Sequence, residues 1–237
     1  MFIKKILLTI SIILTMCVSG LWAGDSASFV DLGFSSDGKT YMFGQYGVLS
    51  PSLRPWAELY IVDVAGNKFV PNGKVSIVQD AAIIAGQDGS GVFHRLVSNN
   101  SGLSGKYGIN FQNQGLPLYI SRDENPPANG ETICFRDFVS GRSFKAQLVP
   151  TITGSGQNIQ SKFFINLEVT SEVNSSNKTV KTYTVGTPNF LRQKISSYNF
   201  KRVHVDASGN SIIFVIEMKR AAENGHDIRY MVETVRL

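Results

Sequence analysis

The residues best suited to bind metals are few and widely spaced. The three histidines are His94, His204 and His226, and Cys134 is the only cysteine after residue 23. A structural or catalytic metal site needs three or four converging ligands, and spacings such as Cys-x-x-Cys often mark one in the sequence. The chain contains no such spacing. The sequence therefore predicts no metal site and no cofactor.

Four carboxylates could act as acid and base. They lie between residues 31 and 63: Asp31, Asp37, Glu58 and Asp63. Paired carboxylates perform general acid–base catalysis, which leaves a hydrolase of an unrecognised type as an alternative. Turn formation explains Asp37 and Asp63 more simply. The chain has no Gly-x-Ser-x-Gly motif, and its glycine-rich segment at Gly86–Gly91 lacks the Gly-Lys-Ser/Thr ending of a phosphate-binding loop. No residue is predicted to be catalytic.

Large aromatic residues mark the first candidate binding surface. Tyr46, Trp56 and Tyr60 surround the loop from Gly47 to Pro55, which also carries Arg54. Tyr, Trp and Arg are enriched at interaction hot spots. The alternative is that Trp56 and Tyr60 simply pack the β core. The sequence therefore predicts binding through Tyr46, Arg54, Trp56 and Tyr60.

The first 23 residues have the pattern of a signal peptide. Lys4 and Lys5 precede an apolar run from Ile6 to Val18, and small residues lead up to Ala23. The run is shorter than the roughly 20 residues needed to span a bilayer, which favours cleavage after Ala23 over an uncleaved anchor. Lipidation at Cys17 is a further alternative, although Met16 stands where a lipobox has a small residue. We predict an exported protein, periplasmic or secreted, with membrane contact only if Cys17 is lipidated or the signal is retained.

The rest of the chain, residues 24–237, is predicted to be one secreted, β-rich domain. Removing residues 1–23 removes two lysines and no acid, so the formal charge falls from +5 to +3. This weak charge and the predicted export argue against a nucleic-acid partner. Cys134 lies in a strand-like run, and we expect it to be a small buried hydrophobic residue.

Period-two patterns dominate the domain. Apolar residues alternate with polar ones over 162–170, and a β-branched run at 179–185 follows a polar turn, which predicts a hairpin. A shorter alternating face at Phe144–Leu148 is expected to stop near Pro150. Ile212–Ile216 is continuously apolar, which is typical of a strand buried on both faces, and Asp227–Val235 is predicted to pair with it.

One segment has helical periodicity. The apolar residues Val92, Phe93, Leu96 and Val97 share one helical face, with Ser90 as a candidate N-cap. The predicted fold class is therefore mainly β, built from antiparallel meanders in a propeller-like assembly or a two-sheet sandwich, with one or two short helices.

Residues 28–70 have the pattern of a β-meander and carry a resemblance. Asp37-Gly38 suits a tight turn between strands, and the segment resembles a blade of the Tol-type envelope β-propellers. The matching residues are Phe34, Ser35, Asp37, Gly38, Lys39, Phe43, Tyr60, Val62 and Asp63. A second, weaker match to the blade pattern lies at 205–214, and no fixed repeat length links the two segments.

The chain as a whole resembles a bacterial family of predicted secreted proteins, domain of unknown function 2259. The resemblance rests on five segments: Ala27–Val30, Phe34–Gly38, Phe43–Gly47, Pro55–Val64 and Gly225–Val232. It implies export and a shared fold, and supplies no activity and no catalytic residues. Ser, Asn and Gly between 88 and 105 depart from the Ala/Leu/Arg-rich helix that the resemblance implies there.

Three functions follow from these patterns. The first is a non-enzymatic envelope protein that binds another protein or an envelope component through loops of the β frame. The second is the hydrolase that uses the carboxylates of the first meander. The third is a small-ligand-binding protein, for which the sequence does not name the ligand.

Overall fold

The computed structural model describes residues 24–84, 86–122, 132–174, 177–222 and 225–237. The predicted signal peptide, with Cys17, lies outside these ranges, as does the Gly/Pro/Asn-rich stretch at 123–130, for which the sequence predicts a surface loop. None of the helices in the described ranges is long and apolar enough to cross a membrane.

Sheet A is a four-stranded antiparallel meander at the start of the domain. Its strands, in spatial order, are β1 (Ser28–Phe34), β2 (Thr40–Leu49), β3 (Arg54–Asp63) and β4 (Lys68–Val78). The β1–β2 turn is held by Asp37, whose carboxylate accepts hydrogen bonds from the Ser35 hydroxyl and the Lys39 amide. Gly38 has a positive φ of 66°, which a residue without Cβ adopts at no steric cost. The predicted meander over 28–70 is confirmed.

Two short helices cover one face of sheet A. The predicted helix is α1 (Ser90–Asn99), and α2 (Ser101–Lys106) follows after a break at Asn100. Val92, Phe93 and Leu96 are buried against the sheet, as the periodicity predicts. The expected N-cap is wrong by one position: Gly89 is the N-cap, and Ser90 is the first helical residue. The Asp88 carboxylate accepts hydrogen bonds from the backbone N–H and the hydroxyl of Ser90. Asp88, and not Ser90, therefore supplies the side-chain acceptor at the start of α1.

Sheet B contains the predicted hairpin. Its strands are β6 (Thr132–Arg136), β7 (Ser143–Thr153), β8 (Gln160–Asn174), β9 (Asn177–Val185) and the short β10 (Arg192–Gln193). β7 pairs with one edge of β8, and β9 and β10 share the other edge. The alternating residues of β8 are buried as predicted: Phe163, Ile165, Leu167 and Val169.

Two expectations for this sheet are wrong. β7 runs through Pro150 to Thr153, and the described part of β6 pairs with Ser143–Gln147 and not with Pro150, a position where the missing N–H of proline is tolerated. Cys134 is exposed, because its neighbours Ile133 and Phe135 point into the core and a strand alternates its faces.

Sheet C lies between the other two sheets. Its spatial order is β13 (Gly225–Arg236), β12 (Ser211–Ala222), β11 (Ile195–Val205) and β5 (Leu116–Ile120). Along β12, Ile212, Phe214 and Ile216 pack against sheet B. Ile213 and Val215 pack against sheet A on the other face. The predicted two-sided burial of this strand and its pairing with the C-terminal strand are confirmed.

The layers therefore follow the order sheet B, sheet C, sheet A, helices. The predicted class, mainly β with antiparallel meanders and short helices, is confirmed. Three stacked sheets form the described part of the chain, where the sequence left open a propeller-like assembly or a sandwich of two sheets.

Candidate functional site

A cleft of about 660 Å³ runs along the outer edge of β13. Residues of β2, β3 and β4 form one wall, and the chain from Thr187 to Ile195, between β9 and β11, forms the other. Residues Arg229–Glu233 of β13 form its floor, together with Met218 and Arg220 of β12. We call this feature the β13 cleft. Its volume is within the range of small-ligand sites.

Cations outnumber acids in the β13 cleft. Five cations and two carboxylates line it: Lys68, Lys74, Arg192, Arg220 and Arg229, and Glu58 and Glu233. Arg229 pairs with Asp25 at 2.7 Å, and Arg192 pairs with Glu233 at 3.1 Å. Lys68, Lys74 and Arg220 form no ion pair with any of the described residues. Three side chains therefore hold positive charge that the described fold does not neutralise.

Aromatic rings lie beside these cations on both walls. Tyr60 stacks between Phe43 and Phe69, with ring centroids 4.9 and 5.3 Å away. Across the cleft, the Arg192 guanidinium lies 4.9 Å from the centre of the Phe190 ring. Phe69 is 51% exposed and Phe190 is 57% exposed. Large apolar side chains that stay this exposed in a concave site are typical of binding surfaces.

A chain of hydrogen bonds fixes the polar part of the sheet A wall. Glu58 accepts hydrogen bonds from the Gln45 amide at 2.8 Å and from the Tyr60 hydroxyl at 2.6 Å. The Gln45 oxygen in turn accepts the backbone N–H of Tyr230 at 2.8 Å. Burial and the neighbouring Glu58 raise the pKa of Tyr60, so its phenol stays protonated and donates to the carboxylate.

Glu233 is the second carboxylate of the cleft, and it is buried. The Asn67 amide and Arg192 both donate to it. Burial raises the pKa of Glu233 although both donors oppose that rise. Because Asn67 also accepts the backbone N–H of Thr234, this amide links the β3–β4 turn to β13.

The chain that follows the predicted cleavage site borders the cleft. Ser26 forms a parallel bridge with Ile228 of β13, and Ala27 donates its N–H to the Ile228 carbonyl. The buried Asp25 carboxylate accepts hydrogen bonds from Trp56 Nε1 and from Arg229, both at 2.7 Å. Burial raises the pKa of Asp25 against the opposing charge of Arg229. Residues 24–27 thus cover the part of the β13 edge that precedes the cleft.

The structure places the four predicted binding residues in different surroundings. Tyr46 faces α1, with its ring 5.5 Å from that of Phe93. Trp56 is buried on the opposite face of sheet A, under the Arg229 guanidinium. Arg54 binds the Gln79 carbonyl and Asp80. Of the four, Tyr60 lines the β13 cleft, and the burial of Trp56 and Tyr60 agrees with the alternative that they pack the core.

The four carboxylates singled out in the sequence each have separate partners. Asp37 belongs to the β1–β2 turn, Glu58 to the cleft wall, and Asp63 to the end of β3, where it pairs in register with Lys68. The Asp31 side chain is 9% exposed, with Oδ2 3.6 Å from Nδ1 of His204. Burial raises the pKa of Asp31 to about 6 and, with the nearby Arg202, lowers the pKa of His204 to about 4.

The histidines are dispersed in the structure as well. His94 is exposed on α1, His226 is exposed on β13, and His204 is buried between sheets A and C. Among the residues that the structure describes, no three His, Cys, Asp or Glu side chains form a group able to hold a metal ion.

Sequence reasoning missed most of the cleft. Phe69, Phe190, Arg192, Arg220 and Arg229 come from four separate segments, and only the packing of three sheets brings them together. One signal was readable in the sequence: Pro188–Gln193 places Phe and Leu beside Arg in a stretch without strand alternation. An apolar pair in a non-strand segment is a sign of an exposed hydrophobic surface.

A stack of three antiparallel sheets, with a ligand-sized cleft at the edge of its central sheet, defines a mainly β protein. Residues 42–236 match the family described as Predicted secreted protein (DUF2259), and the chain belongs to this family. The match begins in β2 and ends in β13, so it includes both walls and the floor of the cleft. No curated protein and no solved structure matches the chain.

Proposed function

We propose that the protein is an exported, non-enzymatic binding protein whose β13 cleft takes a negatively charged ligand with an apolar or aromatic part. The observation that carries this proposal is the adjacency of exposed aromatic rings to cations that form no ion pair with the described residues: Lys68, Lys74 and Arg220 beside Phe69 and Phe190. The family's description as secreted supports export.

The two kinds of side chain recognise the two parts of such a ligand. Lys74 lies 5.8 Å from the centre of the Tyr60 ring, and Arg192 lies over Phe190, so the cations are held beside apolar surface. An anion that enters the cleft loses water but gains charge-assisted hydrogen bonds. Burial of an apolar group against Phe69 and Phe190 contributes roughly 25 cal/mol per Å² removed from water. A ligand with only an anionic group would contact the cations and not the rings, and a purely apolar ligand would contact the rings and not the cations.

The ligand is expected in the compartment to which the protein is exported, periplasmic or extracellular. An envelope protein or an envelope component is therefore a candidate source of the ligand. Binding through Arg54 and Trp56 remains a separate prediction, and combined Arg54→Ala and Trp56→Ala variants test it by partner capture.

The proposal is tested with 8-anilinonaphthalene-1-sulfonate, a fluorescent probe that joins an anionic group to aromatic rings. The purified domain of residues 24–237 is titrated with the probe, and we expect one saturable site. A Lys68→Ser and Arg220→Ser double variant should bind at least tenfold more weakly, and Phe190→Ser should weaken binding similarly. Dodecanoate should displace the probe, whereas dodecyltrimethylammonium should not, because its charge is repelled.

Matched control variants carry the same changes outside the cleft. Lys39→Ser with Lys145→Ser removes two exposed cations, and Phe138→Ser removes a phenylalanine that is 88% exposed. These variants should bind the probe as the unsubstituted domain does. Equal losses in the cleft and control variants, or no saturable site in a domain with native circular dichroism, would exclude the β13 cleft as the binding site.

A further inference from the structure

β13 is an edge strand, and its outer edge is already used to pair with an extended chain. Alternate residues of an antiparallel edge strand point their N–H groups away from the sheet. On β13 these residues are Ile228, Tyr230, Val232 and Thr234. The Ile228 N–H donates to the Asp25 carbonyl, and the Ile228 carbonyl accepts from Ala27. The edge therefore pairs with main chain where it precedes the cleft.

Within the cleft, side-chain amides replace that partner chain. The Tyr230 N–H donates to the Gln45 oxygen at 2.8 Å, and the Thr234 N–H donates to the Asn67 oxygen at 2.7 Å. Glu58 holds the Gln45 amide and Glu233 holds the Asn67 amide. A primary amide has the donor and acceptor of a peptide group, so these two side chains occupy positions that a paired strand would occupy.

Between the two amides, one edge position is open. The Val232 N–H has no acceptor among the described residues, although Val232 itself is 92% buried. A backbone N–H without a protein acceptor that borders a cleft is a position where a ligand can supply the acceptor. This donor is on the cleft floor, with the cations and aromatic rings on either side.

We propose that the β13 cleft binds an extended, acidic peptide segment of a partner protein, which lies along β13 and pairs with the Val232 N–H in the gap between the Gln45 and Asn67 amides. This inference rests on the proposed function and names its ligand class. Backbone pairing supplies affinity in strand addition, and side-chain pockets supply specificity. Lys68, Lys74 and Arg220 complement acidic side chains of the segment, while Phe69 and Phe190 cover its apolar ones. Residues 24–27 show that the same edge takes an extended chain.

The experiment uses a fluorescein-labelled hexapeptide of alternating aspartate and leucine, measured by fluorescence anisotropy against the domain of residues 24–237. We expect saturable binding that the anilinonaphthalene probe competes for. The same peptide with N-methyl groups on alternate backbone nitrogens keeps its charge and side chains but loses strand pairing. Its affinity should fall at least tenfold. A lysine–leucine hexapeptide should not bind.

Val232→Pro tests the protein side of the pairing. Proline removes the open N–H, and this N–H is not part of the β12–β13 ladder, so an edge strand can accept the change. The variant should lose at least tenfold in affinity for the unmodified peptide, whereas the N-methylated peptide should bind the variant and the unsubstituted domain about equally. If the variant does not fold, the N-methylated peptide carries the test on the unsubstituted domain.

The outcomes separate this inference from the proposed function. Equal binding of the N-methylated and unmodified peptides would overturn strand addition. Probe binding that depends on Lys68 and Arg220, without any peptide binding, would also overturn it and leave the proposed function standing. Loss of both kinds of binding would overturn both.

Discussion

A buried carboxyl and a buried imidazole face each other between sheets A and C. The side chains of Asp31 and His204 are only 9% and 6% exposed, so burial penalises the charged form of each group. Burial therefore moves the two pKa values in opposite directions, to about 6 for Asp31 and about 4 for His204. Each group is favoured in its neutral form in the folded protein.

The two groups make opposite contributions to stability between pH 4 and 6. The folded state holds a proton on Asp31 that the unfolded state has lost, because the unfolded pKa is 3.8, so this group lowers the free energy of unfolding as pH rises. The unfolded state holds a proton on His204, whose unfolded pKa is 6.5, that the folded state lacks. This group raises the free energy of unfolding over the same range.

Removing either group should expose the contribution of the other. In Asp31→Asn, the free energy of unfolding should rise by roughly 3 kcal/mol from pH 4 to pH 6.5, since a shift of two units corresponds to that order of energy. In His204→Asn, it should fall by a similar amount from pH 4 to pH 6. Urea titrations at several pH values measure both. The unsubstituted domain should change little, and slopes of the same sign in the two variants would contradict the assignment.

At the scale of elements, α1 packs on sheet A over a residue that has no side chain. A Cβ at Gly44 of β2 would overlap the Phe93 ring of α1 and would lie 2.9 Å from the Glu58 carbonyl. The helix therefore depends on Gly44 for its distance from the sheet. Sequence periodicity predicted the buried face of α1, but the close approach involves residues about 50 positions apart and left no local signal.

Gly44→Ala should destabilise the domain, because an overpacked contact costs about 1–3 kcal/mol. The matched control is Gly91→Ala in α1, where a Cβ meets nothing within 4 Å. Alanine is the better helix former by up to about 1 kcal/mol, so this variant should be as stable as the unsubstituted domain or more stable. Urea unfolding measures both variants, and equal stability of the two would argue against the tight contact at Gly44.

The sequence predicted elements well and their assembly poorly. Alternation predicted β8 and β9, continuous apolarity predicted β12, and Asp37-Gly38 predicted the first turn, because each signal is local. Pro150 led us to end β7 too early, since the pairing of its two edges is visible only when the neighbouring strands are placed. The cleft was missed for the same reason, although two of its residues, Glu58 and Tyr60, were singled out in the sequence. Its cations and rings lie on strands that become neighbours only after three sheets have stacked.

At the scale of the whole molecule, sheet C is the central layer, and sheets A and B each bury an apolar face against it. β12 sends alternate side chains into the interface with sheet B and the interface with sheet A. Loss of either interface exposes one apolar face of the same strand. Such a shared central layer favours unfolding in one step, which is the behaviour of the single domain predicted for residues 24–237.

Leu148→Ala tests this coupling from a distance. Leu148 lies in the interface between sheets B and C, whereas Trp56, the only tryptophan after residue 23, lies between sheets A and C. The substitution should cost about 2–5 kcal/mol. It should shift the denaturant midpoints of Trp56 fluorescence and far-ultraviolet circular dichroism equally.

The control is Val180→Ala on β9, a valine that is 57% exposed, which should leave both midpoints almost unchanged. A fluorescence midpoint that stays in place while the dichroism transition splits would show that sheets A and B unfold separately.

The pairing of residues 24–27 with β13 has a consequence for the order of events during export. Gly24 lies so close to the His226 carbonyl that a Cβ there would overlap it, and Asp25, next in the chain, is enclosed by Trp56 and Arg229. A protease must reach the chain on both sides of the bond that it cuts, and these residues are covered once they are paired. If the chain is cleaved after Ala23, as the sequence predicts, the cut must come before residues 24–27 pair with β13, so the fold would be completed only after the predicted leader is removed.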